Sequence, residues 1–323
     1  MPRIGGGGRL LAPSPTYLAI ILLLLLLSLL LPPAHGQAIC SILDQRMAIV
    51  DDRLFFCSGN YTFDDEEILR HSTLKMYWLR LNDTIDVSGP LDPALLGSST
   101  VPSASLSGGR FPDEGGAAGA FFYDHTTLYA YGALAGPEAG ATTDKLWAFD
   151  TAADNWTLAE VWGGGMHHGD NVEGVHASDP ASGASFYTGG SGIAYNGAAN
   201  GTLVFSTKNS GAQPPEWDFK PASAAGVQGP NILKGAMVHV RRGRAGVLLA
   251  FGGYQTAYQG TRPEIFYWDQ RPFSEIFVYD ISSNTWYQQT ATGDLPDPRT
   301  EFCAAVSSAP DDSSFQITMQ SGG

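Results

Sequence analysis

Two strings 130 residues apart constrain this chain more than anything else in it. Ile276–Trp286 runs Ile-Phe-Val-Tyr-Asp-Ile-Ser-Ser-Asn-Thr-Trp. Leu146–Trp156 runs Leu-Trp-Ala-Phe-Asp-Thr-Ala-Ala-Asp-Asn-Trp. Each alternates apolar and aromatic residues up to an Asp, Asp150 or Asp280. Each then crosses a polar turn and opens a second run with Trp156 or Trp286. Alternation of period two on both sides of a turn predicts a hairpin. The same hairpin twice, in the same register, predicts a repeat architecture.

A second landmark gives the spacing. Apolar runs closing on glycine occur at Leu54–Gly59, Leu128–Ala133 (with Gly132), Ser185–Gly190 (Gly189, Gly190) and Val247–Gly253 (Gly252, Gly253). A fifth occurs at Phe315–Gly323 (Gly322, Gly323). Their last positions, 59, 133, 190, 253 and 323, are 74, 57, 63 and 70 residues apart. Downstream partners are Met76–Leu81 for the first run, and Thr202–Ser206 with Trp217 for the third.

An apolar run ending in Gly-Gly, then aromatic–x–aromatic–Asp, then Trp, resembles the kelch motif. Trp147, Asp150 and Trp156 carry it in one copy; Tyr279, Asp280 and Trp286 carry it in another. The resemblance covers most of the chain after residue 40. It implies an all-β fold, a kelch-type β-propeller of four-stranded antiparallel blades. About four blades and the start of a fifth are expected, an incomplete ring. The blades fall near 40–85, 110–160, 172–220 and 233–290, with the next beginning at 299–323.

Composition agrees with an all-β chain. Gly is abundant at 39 and charged residues make up only 15 %, which suits many turns and disfavours helices. One short segment with helical spacing occurs, around Asp64–His71. Small residues precede the apolar runs at Gly115–Ala120, Gly174–Ala177, Gly235–Val238 and Cys303–Val306. These are expected to form inner strands, crowded at a propeller axis. Residues 88–118, rich in Gly, Ser, Pro and Ala, are expected to hold a blade junction.

In each blade, Gly-Gly is expected to let the chain leave a strand at positive φ. The aromatics are expected to fill the space between blades. Asp150 and Asp280 are expected to accept from turn amides.

Residues 1–36 read as a secretory leader. Arg3 and Arg9 precede the apolar block Leu18–Leu31, Pro32-Pro33 ends it, and Ala34-His35-Gly36 is a small-x-small cleavage site. The mature domain is then 37–323, secreted or at the cell surface. The whole chain carries a formal charge of −14, and 1–36 contributes two Arg and no acid. Such acidity repels phosphate backbones, so nucleic acid is an unsuitable partner. In that compartment Cys40 and Cys57 are expected to pair, and Cys303 is left over. Asn60, Asn82, Asn155 and Asn200 each open an Asn-x-Thr acceptor sequence for N-linked glycans.

No catalytic motif, metal-ligand spacing or cofactor signature stands out. Two stretches remain as candidate binding loops: Gly163–Asp170 with His167 and His168, and Glu264–Arg271 with Tyr267 and Trp268. The resemblance implies a non-catalytic scaffold for a protein or carbohydrate ligand. It is similar to the extracellular kelch proteins of fungal cell surfaces, which join a signal peptide, a propeller and a membrane anchor. An anchor beyond residue 323 is therefore expected, on a longer natural product. Two alternatives are a copper radical oxidase like galactose oxidase and a purely structural cell-wall glycoprotein. An oxidase requires two Tyr and two His meeting near the axis.

Overall fold

The computed structural model describes residues 39–43, 46–57, 60–63, 70–71, 75–86, 92–102, 119–131, 145–162, 171–192, 199–207, 214–221, 226–227, 229–258, 266–320 and 322. The leader segment, Gly132, His167, His168 and Gly323 lie outside them, as do residues 64–69.

The chain is all-β. In order, the first segment holds β1 (Ile39–Leu43), β2 (Arg46–Val50), β3 (Arg53–Cys57), β4 (Asn60–Phe63), β5 (Arg70–His71), β6 (Lys75–Arg80) and β7 (Leu96–Thr100). The second holds β8 (Ala120–Tyr123), β9 (Thr127–Tyr131), β10 (Lys145–Asp150) and β11 (Asn155–Glu160). The third holds β12 (Asn171–Val172), β13 (Val175–Asp179), β14 (Ala184–Gly189), β15 (Ser191–Gly192), β16 (Ala199–Ser206) and β17 (Glu216–Pro221). The fourth holds β18 (Ile232–Leu233), β19 (Ala236–Val240), β20 (Val247–Phe251), β21 (Tyr254–Tyr258), β22 (Phe266–Gln270), β23 (Glu275–Asp280) and β24 (Thr285–Thr290). β25 (Cys303–Ser308) and β26 (Phe315–Gln320) follow.

Four of the sheets are four-stranded antiparallel meanders: β2-β3-β6-β7, β8-β9-β10-β11, β13-β14-β16-β17 and β19-β20-β23-β24. β25-β26 starts a fifth. The inner strands β2, β8, β13, β19 and β25 lie beside one another in succession, which is the blade arrangement of a propeller. The far face of the fifth blade, with Cys303, Ala305, Ser307, Gln316, Thr318 and Gln320, is exposed.

The core is a series of layers between blades. Phe55, Met76 and Ala48 of blade 1 pack on Phe121, Leu128 and Phe149 of blade 2. Phe122, Tyr129 and Tyr131 of blade 2 pack on Tyr187, Phe205 and Trp217 of blade 3. Val175, Ala177 and Phe186 then meet Leu248, Tyr279 and Trp286. Val238, Val240 and Phe251 meet Phe302, Ile317 and Met319. Each aromatic removes a large apolar surface from water, so these layers supply the main stabilisation.

Several elements differ from the sequence reading. Arg70–His71 is a strand pairing with β4, because the partner edge outweighs a short helical spacing. The first blade's outermost strand, Leu96–Thr100, lies within the Gly/Ser/Pro/Ala-rich stretch and pairs with β6. Gly97 sits there against the Trp78 indole, where a Cβ would overlap the ring. The second blade's inner strand begins at Ala120, and its Phe121 and Phe122 are large but fully buried between blades.

Candidate functional site

The strand directions define two ends. Inner strands begin, and second strands finish, at one end, called here the entry end. Turns joining first to second strands lie at the other, the turn end. Connections between first and second strands are shorter than those between second and third strands, and third and fourth strands are joined at the turn end by residues 81–95, 151–154, 207–215 and 281–284. At the turn end first and second strands are joined by residues 51–52, 124–126, 180–183 and 241–246. At the entry end second and third strands are joined by residues 58–74, 132–144, 190–198 and 252–274.

In three blades the long connection returns as an accessory sheet. β4 pairs with β1 and β5 with β4, β15 pairs with β12, and β21 pairs with β18 and β22 with β21. Each accessory sheet joins the exit of the second strand to the segment entering the inner strand. Tyr267 and Trp268 fall on β22, opposite Ala257 and Thr256 of β21. The second candidate loop is thus a hairpin on the entry end; the side chains of Tyr267 and Trp268 lie outside the described residues.

Gly-Gly marks the kink between blade strand and accessory strand. Gly189, Gly190, Gly252 and Gly253 have φ of 71°, 88°, 62° and 77°. The kink also stitches blades. Gly190 N–H donates to the Ile232 carbonyl at 3.0 Å, and Gly253 N–H to the Arg299 carbonyl at 3.0 Å. Gly322 repeats the conformation at φ 92°.

Each inner strand of blades 3 to 5 is entered through a charged residue in the left-handed region: Glu173 (φ 63°), Lys234 (φ 53°) and Glu301 (φ 55°). These three form a chain. Lys234 N–H donates to the Glu173 carbonyl at 2.7 Å, and Glu301 N–H to the Lys234 carbonyl at 2.9 Å. The Lys234 ammonium lies 3.6 Å from the Glu173 carboxylate and also pairs with Glu301. Non-glycine residues at positive φ cost about 1 kcal/mol or more each, so three in succession mark a position fixed by its neighbours.

Beneath that rim, Arg46 is fully buried and lies against Gly119, where a Cβ would collide with its guanidinium. Tyr131 and Tyr187 meet edge-to-face at 5.0 Å. Gly174 N–H donates to the Tyr187 hydroxyl at 2.9 Å. Enclosure, followed by the Arg46 charge, lowers His176 to about 4, so its imidazole is neutral near pH 7. Burial raises the Tyr187 phenol above the ordinary range.

At the turn end lies a smaller cluster. His239 Nδ1 lies 3.9 Å from Asp179 Oδ1. Burial lowers the His239 imidazole, opposed by Asp179. Burial and Asp179 together raise Tyr123.

The repeat residues occupy the layers between blades. Trp286 and Tyr279 are 1 % exposed, and Trp147 and Trp217 are buried. Trp156 packs against the layer between blades 1 and 2. Asp150 Oδ1 accepts from Ala152 N–H (2.8 Å) and Ala153 N–H (2.9 Å), and Asp280 Oδ1 from Ser282 N–H (2.9 Å). Asp154 and Asn284 end these turns at φ 51° and 52°, a conformation both residue types tolerate.

Cys57 is buried at the end of β3; the Cys40 side chain lies outside the described residues, so their bridge stays an expectation. Asn82 and Asn155 are exposed. The Asn60 and Asn200 side chains are not described, although Thr202 of the latter's acceptor sequence is fully buried. No group of three His, Cys, Asp or Glu among the described residues is placed to hold a metal ion. No family model matches the chain, and no curated protein matches it.

Proposed function

We propose that this chain is a kelch-type propeller acting as a secreted or cell-surface interaction scaffold, and that the entry end is its binding face. The observation that carries this reading is that all three accessory sheets lie at the entry end, built from the connections between second and third strands. Rigid blades hold them in position. Recognition on rigid scaffolds is built in this way: packed elements supply geometry and connections supply specificity. Strand β22 carries Tyr267 and Trp268, residue types suited to a sugar face or to a protein side chain. The kelch assignment rests on the repeat of Gly-Gly, aromatic–x–aromatic–Asp and Trp described above.

The copper oxidase alternative is less favoured on electrostatic grounds. His176, Tyr131 and Tyr187 gather near the axis beside the buried Arg46 cation. A fixed positive charge there opposes a second cation, and the Tyr187 hydroxyl is already bonded to Gly174. These residues do not fit a copper ion.

The test is binding to a printed panel of cell-surface glycans and to intact cells, with two variants. Replacing Tyr267 and Trp268 by Ala should weaken binding at least tenfold. Replacing Arg242 and Arg244, exposed at the turn end, should leave it unchanged. Loss on the turn-end variant alone would reject the entry end. Hydrogen peroxide release from primary alcohols by the copper-loaded chain would favour the oxidase instead.

A further inference from the structure

The four acceptor asparagines divide evenly between the two ends. Asn82 follows β6 and Asn155 opens β11, so both lie at the turn end, in adjacent blades. Asn60 opens β4 and Asn200 lies near the start of β16, so both belong to the entry end. At the turn end the acceptor geometry is open. Asn82, Asp83 and Thr84 are all exposed. Asn155 and Thr157 are exposed on the same face of an edge strand, while Trp156 between them turns inward. The alternation of a strand thus separates the acceptor and its hydroxyl from the indole that packs the core. The two turns are held side by side, because Arg53 of blade 1 bonds Asp154 at 2.8 Å and also the Thr151 carbonyl of blade 2.

At Asn200 the arrangement is closed. Thr202 Oγ1 accepts the Trp286 indole N–H at 2.9 Å, and both residues are buried. β16 is paired on both sides, to β14 and β17. Once blades 3 and 4 dock, that hydroxyl is committed to the core.

We infer that Asn82 and Asn155 carry N-linked glycans that together cover the turn end. In the transfer, each asparagine Nδ2 bonds to C1 of the first sugar of a polyisoprenyl-pyrophosphate-linked oligosaccharide. The C1–O bond to pyrophosphate breaks, the pyrophosphate leaves as an anion, and one amide proton passes to a base of the transferase. Nothing is oxidised or reduced. The product amide keeps one N–H, so the 2.6 Å bond from Asn82 Nδ2 to Asp52 does not oppose the modification.

The experiment uses the full chain made in a eukaryotic secretory host. A parallel version carries a heterologous leader in place of 1–36, which separates glycan occupancy from the leader reading. Enzymatic glycan release in heavy-oxygen water marks every occupied asparagine for mass spectrometry. Asn82 and Asn155 should be marked. Asn82→Gln and Asn155→Gln should each remove one glycan mass step without changing the circular dichroism spectrum. Tryptic cleavage after Arg80, which is exposed beside Asn82, should be at least tenfold slower before glycan release than after. Secreted protein with both sites unmarked, or marked only at Asn60 and Asn200, overturns the proposal, as does equal cleavage before and after release. A doubly glycosylated chain that binds no partner keeps this inference and removes the scaffold reading alone.

Discussion

The Trp286 indole donates its N–H to the Thr202 hydroxyl across 2.9 Å, joining the outer strand of blade 4 to the third strand of blade 3. The two residues are 84 positions apart, and both are buried. This bond ties a repeat tryptophan to a neighbouring blade, so it reports on docking between blades.

Thr202→Val keeps the shape and strands the indole donor. It should lower stability by about 1–3 kcal/mol, the usual cost of a buried unsatisfied polar group. Trp286→Ala should cost about 3–5 kcal/mol through the cavity it leaves. Chemical denaturation of each variant checks both values. A Thr202→Val midpoint equal to the parent would remove the bond from the account.

Glycine substitutions separate conformation from crowding. Gly253 has φ 77°, and a Cβ there would sit 2.4 Å from the Leu233 carbonyl oxygen and 2.6 Å from the Gly235 nitrogen. Gly243 has a similar φ of 81° with nothing within 4 Å. Gly243→Ala should therefore cost about 1 kcal/mol, the left-handed penalty alone. Gly253→Ala should cost several-fold more, because backbone must move. Equal melting temperatures for the two variants would contradict the stitch at Gly253.

Acid should weaken the blade 2–3 region through His176. Its folded value of about 4 lies below the ordinary 6.5 of the unfolded chain. A depressed histidine favours the neutral form, so its contribution is complete above pH 6.5. Between 6.5 and 4 the unfolded chain binds the extra proton, and stability falls as pH falls, by up to about 3 kcal/mol. Melting temperatures of His176→Gln between pH 4 and 7 should slope less than those of the parent. Parallel slopes would assign the acid limb to other groups.

Arg53 is a clasp with several contacts. Its guanidinium bonds Asp154 and the Thr151 carbonyl, and lies 4.8 Å from the Phe55 ring centroid and 5.7 Å from that of Trp78. Arg53→Ala should cost about 1–2 kcal/mol, since the pair is partly exposed and much of the effect is stacking. Arg53→Lys should recover less than half of it, because an ammonium cannot reproduce the planar fork. Full recovery by lysine would reduce the clasp to simple charge.

The sequence by itself determined the repeat. Period-two alternation, the Asp150 and Asp280 turns and the inward tryptophans are all local. Turn chemistry and strand periodicity act over a few residues, so Ile276–Trp286 and Leu146–Trp156 show their hairpins directly. Gly-Gly was legible as a kink for the same reason. Only the tertiary structure decided what the kinks join. The accessory sheets pair β1 with β4 and β18 with β21, the left-handed chain links Glu173, Lys234 and Glu301, and Arg46 reaches Gly119 from another blade. Arg46–Val50 carries no glycine or tryptophan signature, and Leu96–Thr100 looks like linker, so both strands depend on partners for their identity. Contacts between residues tens of positions apart leave no periodic trace in one chain. They are set by blades packing face to face, where burial of Phe, Tyr and Trp outweighs local preference.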